Sequence, residues 1–185
     1  MLNRFNIILL LSVVLMMFSF MSCTERIDSH QQDMNINKNQ MTKNLEEINR
    51  DLVKKEMELI DNYIKEHNLD MAQTGTGLRY CIEKQGDITP IKAGDVVALE
   101  YELRSLNNDM LLASSKNDGI KTFLVGRGGV EIGLEEAILY LHKGDVAEII
   151  IPSYLAYGLI GDGYRIPPRT TLVYKVKVIE NQSNK

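Results

Sequence analysis

The chain has 185 residues, 25 of them acidic against 21 basic, a formal net charge of -4 and 44% apolar residues. That balance supplies a globular core but no basic surface, so a nucleic-acid partner is not expected. Two cysteines and three histidines exclude a disulfide-dense scaffold, and the isolated His30, His67 and His142 show no metal-ligand spacing, so neither metal nor cofactor is expected.

Arg4 precedes an apolar run from Ile7 to Met21, broken only by Ser12 and Ser19, and Ser22-Cys23 follows. The run is short for a bilayer span and reads as an export signal over residues 1–22. A small residue directly before cysteine resembles a bacterial lipoprotein cleavage site. Cys23 would then be the mature N-terminus, carrying lipid chains such as palmitate that hold the protein on the cell envelope. An uncleaved membrane anchor is the alternative, and it too leaves the domain outside the cytoplasm. Thr24 after Cys23 favours the outer membrane or the periplasmic face.

Residues 23–43 are polar, rich in Gln and Asn and without period, which predicts a flexible tether. Asn44-Leu-Glu-Glu47 predicts the capped start of an amphipathic helix over residues 44–70. Its stripe of Leu45, Ile48, Leu52, Leu59, Ile60, Tyr63 and Ile64 must be covered, either by the following domain or by a second copy of the chain.

Beyond Gly75 the pattern changes period. Leu78, Tyr80 and Ile82 share one strand face, which puts Cys81 on the other with Arg79 and Glu83. Val97, Leu99, Tyr101 and Leu103 alternate with Ala98, Glu100 and Glu102, a half-buried strand. Gly133 to Leu141 is the strong helical candidate, with Leu134, Ala137, Ile138 and Leu141 on one face. Val146 to Ile151 is apolar on nearly both faces, as in a central strand. Leu172, Tyr174, Val176 and Val178 form the closing strand, and residues 181–185 read as a polar tail. Several strands and one helix imply an α+β fold, a twisted antiparallel sheet wrapped on that helix.

Other motifs carry little chemistry. Gly126-Arg-Gly-Gly129 lacks dinucleotide-binding spacing. Glu135 and Glu136 suit the positive end of a helix better than an acid and base pair. Ser114 and Ser115 have no local histidine to activate them, and Cys81 has no local base.

The landmarks from Leu99-Glu-Tyr101 through Leu112-Ala-Ser-Ser115, Phe123-Leu-Val-Gly126, Val130-Glu-Ile-Gly-Leu134, Leu141-His-Lys-Gly144, Ile151-Pro-Ser-Tyr-Leu-Ala-Tyr157-Gly158 and Ile166-Pro-Pro168 resemble, in order, the FKBP-type peptidyl-prolyl isomerases, over residues 75–180. The resemblance extends to lipoprotein members of envelope systems, including those associated with gliding motility. It implies X-Pro isomerisation in exported proteins, with proline-containing polypeptides as substrates and, through the 44–68 helix, a homodimer. A binding or folding-assistance module with little turnover is the alternative.

No nucleophile is needed for such a reaction. The peptide bond's rotational barrier is roughly 20 kcal/mol, and a pocket that binds the twisted amide better than the planar one lowers it. By resemblance the catalytic residues are Tyr101, Tyr157 and Ile166. Leu112, Phe123, Val130, Leu134 and Tyr174 form the substrate-binding walls, and Glu131 offers its backbone N–H to a substrate carbonyl. Leu112, Phe123, Val130 and Tyr174 would serve core packing equally well. The chain departs from the family at Ala113, where relatives carry an aspartate, at Leu112 for phenylalanine and at Leu134 for tryptophan. Those departures imply modest catalysis and weak macrolide binding.

Overall fold

The computed structural model describes residues 26–183, and the expected signal segment and Cys23 lie outside them. Among the described residues no helix is long and apolar enough to cross a membrane. The first element among them is a helix, α1 (Arg26–Glu66). It begins well before Asn44, so the expected tether is helical from Arg26 on. No glycine or proline interrupts residues 26–66, and Gln, Met, Lys and Glu are good helix formers, so nothing local stops the helix once it is nucleated.

The chain divides at Leu52 into two compact units, and everything from Val53 on belongs to the second. That unit contains the last turns of α1, then β1 (Ala72–Gln73), β2 (Arg79–Lys84), β3 (Asp95–Ser105), β4 (Leu111–Ser114), a one-turn helix α2 (Ser115–Asp118), β5 (Lys121–Leu124), α3 (Ile132–Ile138), β6 (Val146–Ile151), a 3-10 turn (Ser153–Leu155) and β7 (Leu172–Ser183). The described strands form one seven-stranded sheet in the order β1-β2-β6-β7-β3-β4, with β5 also on β3. Every pairing is antiparallel. Residues 181–183, expected in the polar tail, are instead the end of β7, where Ser183 pairs with Asp95.

The sheet buries both of its faces. One carries Leu99, Tyr101, Ile149, Tyr174 and Val176 against Leu134, Ala137 and Ile138 of α3. The other carries Ile150 and Val173 under Ile60, with Met57, Tyr63 and Ile64 at the margin. This second layer explains why β6 is apolar on both faces. It also divides the α1 stripe: Ile60 is buried in the second unit, whereas Leu59 beside it is exposed. Arg79, on the outer face of β2, is buried because its guanidinium donates to Asp61 Oδ1 of α1 at 2.9 Å and to the Gly77 carbonyl at 2.6 Å.

Candidate active site

β3 is long enough to be paired along one edge by two separate strands. β5 pairs with Val96–Leu99 and β4 with Glu102–Arg104, which leaves Tyr101 between them. Ser115 of α2 fills the gap: its hydroxyl accepts from the Tyr101 N–H at 3.2 Å and donates to the Tyr101 carbonyl at 3.3 Å. The break in the sheet edge opens a cavity of about 330 Å³ lined by Tyr101, Leu103, Leu112, Ala113, Asp118, Lys121, Glu131, Tyr157, Asp162, Tyr164, Arg165 and Ile166. Five residues expected at the site, namely Tyr101, Leu112, Glu131, Tyr157 and Ile166, therefore meet around one hollow, together with Ala113 at the position of the family's aspartate.

Four others do not line it. Phe123 sits opposite Val97, inside the core. The cavity instead receives Lys121, two residues earlier on the same face of β5. Leu134 is fully buried, and Val130 packs at the margin of the same core. Tyr174 is fully buried in the core but sends its hydroxyl to the site.

The side chain of Glu131 is the centre of the polar arrangement. It is only 2% exposed, and its Oε1 accepts hydrogen bonds from Tyr157 at 2.9 Å and from Tyr174 at 2.8 Å. Its Oε2 makes no hydrogen bond but lies 3.7 Å from Lys121 Nζ. Lys121 in turn donates to the Tyr174 hydroxyl at 3.1 Å and lies 5.2 Å from the centre of the Tyr101 ring. Burial, followed by the Glu131 charge, pushes the Tyr157 and Tyr174 hydroxyls far above the ordinary phenol range, so both remain donors at any physiological pH. Burial, then the charges of Asp118 and Glu131, also raises Tyr101.

The outer wall is the flap from Gly158 to Pro168. Asp162 Oδ1 accepts from the backbone N–H groups of Tyr164, Arg165 and Ile166 at 2.9, 2.9 and 2.7 Å. Desolvation alone would raise this carboxyl, but those donors outweigh it and hold Asp162 below its ordinary value. Across the cavity Arg165 Nη1 meets Asp118 Oδ1 at 2.8 Å, and that hydrogen bond, with another from the Ser114 N–H, holds Asp118 low as well. The carboxylate missing at Ala113 thus reappears on α2. The pocket has two neutralising ion pairs set among aromatic and aliphatic walls. Asp118, Lys121 and Arg165 were missed, although a lysine at the same strand parity as Phe123 was a visible signal. Burial raises the Cys81 thiol above its ordinary value, which disfavours a reactive thiolate there.

Residues 88–179 match the family model of the FKBP-type peptidyl-prolyl cis-trans isomerases. The chain is 37% identical over 107 residues to the probable FKBP-type isomerase FkpA of Neisseria meningitidis, covering 58% of this chain and 39% of that one. It is 30% identical over 105 residues to the mouse peptidyl-prolyl cis-trans isomerase FKBP2, covering 56% of this chain and 75% of that one. The crystal structure of FkpA from Escherichia coli shares its fold with a TM-score of 0.61, at 22% identity and over 98% of this chain and 83% of that one. With the cavity, flap and pairing pattern described above, the chain belongs to the FKBP-type peptidyl-prolyl cis-trans isomerase family.

Proposed function

We propose that this chain accelerates cis-trans isomerisation of X-Pro bonds in extended polypeptides. The observation that carries this reading is the convergence of Tyr101, Tyr157 and Ile166 on one cavity of about 330 Å³. The walls of Leu103, Leu112, Ala113 and Ile166 suit a proline ring. Twisting the amide diminishes its resonance and its charge separation, so a hollow with little free water favours the twisted form. Two hydrogen-bond donors are available to fix the flanking chain. One is the Glu131 backbone N–H, which donates to no protein group among the described residues. The other is the Tyr157 hydroxyl, which must turn from Glu131 Oε1, because a hydroxyl has a single proton to donate. Tyr174 and Lys121 keep the carboxylate partnered while it does so.

In a protease-free isomerisation assay on the whole chain, the wild type should accelerate the reaction. Tyr157→Phe and Ile166→Ala should each lower kcat/KM about tenfold, the size of one hydrogen bond or a few methylenes of differential binding. A well-folded wild type without acceleration would instead favour a binding or folding-assistance module. The exposed apolar flap side chains Leu159, Ile160 and Tyr164 suit that second reading.

The Arg4, Ile7–Met21 and Ser22-Cys23 pattern supports placing this activity on the cell envelope, lipid-anchored through Cys23. Exposed Met41, Leu45 and Ile48 fall at positions spaced three, four and seven apart along α1, which supports pairing of two chains through that helix. Cys23→Ala should release the protein from the membrane fraction, and Leu45→Glu should convert a sedimenting dimer to monomer. Unchanged fractionation or unchanged mass would sink the respective proposal.

A further inference from the structure

The buried carboxylate of Glu56 lies on α1, outside the cavity, and has no cation within ion-pair distance among the described residues. It is 8% exposed. Three donors surround it: Oε1 accepts from the Ser153 backbone N–H at 2.6 Å and from Thr171 Oγ1 at 2.6 Å, and Oε2 accepts from Ser153 Oγ at 2.9 Å. Ser153 opens the 3-10 turn that leads into Tyr157, and Thr171 follows the flap directly before β7. One side chain therefore grips both feet of the segment that carries Tyr157 and Ile166.

The grip continues through the backbone. The Ser153 carbonyl accepts from the Gly158 N–H at 2.8 Å, and the Gly158 carbonyl accepts from the Arg169 N–H at 2.8 Å. A shift of Ser153 is thus passed through one hydrogen bond to the residue after Tyr157, and through a second to the far side of the flap. An unpaired buried charge is an expensive way to dock a helix, and α1 is already docked by Ile60 in the apolar layer and by Asp61 on Arg79. What the carboxylate adds is alignment, since its two oxygens hold three donors from both sides of the flap at once.

From this geometry we infer that Glu56 is a positioning residue that holds the neck of the flap and thereby the Tyr157 hydroxyl and the Ile166 side chain. The inference rests on the isomerase reading of the cavity. It makes the helix preceding the domain part of the catalytic support.

The test compares Glu56→Ala, Glu56→Gln and Ile60→Val in the whole chain, by isomerisation kinetics and by amide hydrogen exchange well below the unfolding midpoint. Glu56→Ala should lower kcat/KM about tenfold, while Glu56→Gln, which keeps an acceptor and can turn its amide toward Ser153 Oγ, should stay within about twofold. In Glu56→Ala the Ser153, Gly158 and Arg169 amides should exchange at least about tenfold faster, with the β3–β7 ladder unchanged. Ile60→Val should loosen the apolar layer and leave kcat/KM alone. Wild-type protection of the neck in Glu56→Ala would overturn the inference, as would activity losses that merely track stability in all three variants. If the wild type proves inactive, the isomerase reading falls by itself, and neck exchange alone decides whether Glu56 holds the flap.

Discussion

Replacing Lys121 by methionine should destabilise the domain by about 3 kcal/mol, because it breaks a buried charge pair on one side only. For a domain of this size that corresponds to a drop of roughly 10 °C in the midpoint of thermal unfolding. The Glu131 side chain is 2% exposed and Lys121 22%, so the carboxylate cannot reach water to compensate, whereas the lysine can. Methionine keeps an apolar chain of similar length but removes the ammonium that faces Oε2 and the Tyr101 and Tyr174 rings. The asymmetry gives the diagnostic result. Adding Glu131→Leu to Lys121→Met should restore most of the loss, since an apolar pair of similar volume leaves no orphan charge. It should also free the Tyr157 hydroxyl and make the hollow drier. Denaturant titration of the three variants checks this. A loss under about 1 kcal/mol in the single variant, typical of a surface ion pair, would show that the pair is solvated.

Gly161→Ala should lower kcat/KM about a hundredfold while leaving the fold intact, the consequence of moving one wall of the cavity by about 1 Å. Gly161 has φ +72°, and a Cβ there would fall on the Ile166 carbonyl oxygen, with the Pro167 carbonyl carbon at 2.8 Å. The flap closes on itself at this point, where the Asp162 N–H donates to that same carbonyl at 3.1 Å. An alanine must therefore push the Ile166–Pro167 peptide away, and the Ile166 side chain moves with it. Gly163→Ala is the control. Its φ is +74° but nothing lies within 4 Å of a Cβ there, so it carries the backbone strain, about 1 kcal/mol, without the collision. Equal losses in the two variants, measured by the same kinetics, would mean that strain and not the close approach governs the flap.

Fold and flap were legible because they depend on short-range pattern. The alternation at Val97–Leu103 and Leu172–Val178, the helix face of Leu134, Ala137 and Ile138, and the order Tyr157-Gly158 to Pro167-Pro168 all survive as elements of the structure. Even the doubly apolar β6 was visible as a run and the α1 stripe as a face in need of a cover, although not that the two meet.

The site was legible only in part. Lys121 and Phe123 share a strand face, and nothing local says which of them reaches the hollow. That depends on where β5 ends against β3: Lys121 pairs with Leu99, beside the gap at Tyr101, while Phe123 pairs with Val97 in the core. Glu131 was marked for its backbone, yet its side chain gathers Tyr157, Tyr174 and Lys121 from β5, β7 and the base of the flap. The start of α1 was missed for the converse reason: a polar stretch without breakers has no periodic face to announce it, although helix is open to it.

By itself the sequence determined the pattern of β2, β3, β6 and β7, the apolar face of α3, the glycines and prolines of the flap, and through them the family. Those features are properties of residues near one another along the chain. Tertiary structure alone decided that a buried carboxylate would meet a half-buried ammonium at the cavity and that Glu56 would accept hydrogen bonds from both ends of the flap segment. Such contacts join residues of different elements, up to 115 positions apart, and their energies arise only when folding removes the water that would otherwise satisfy each group separately.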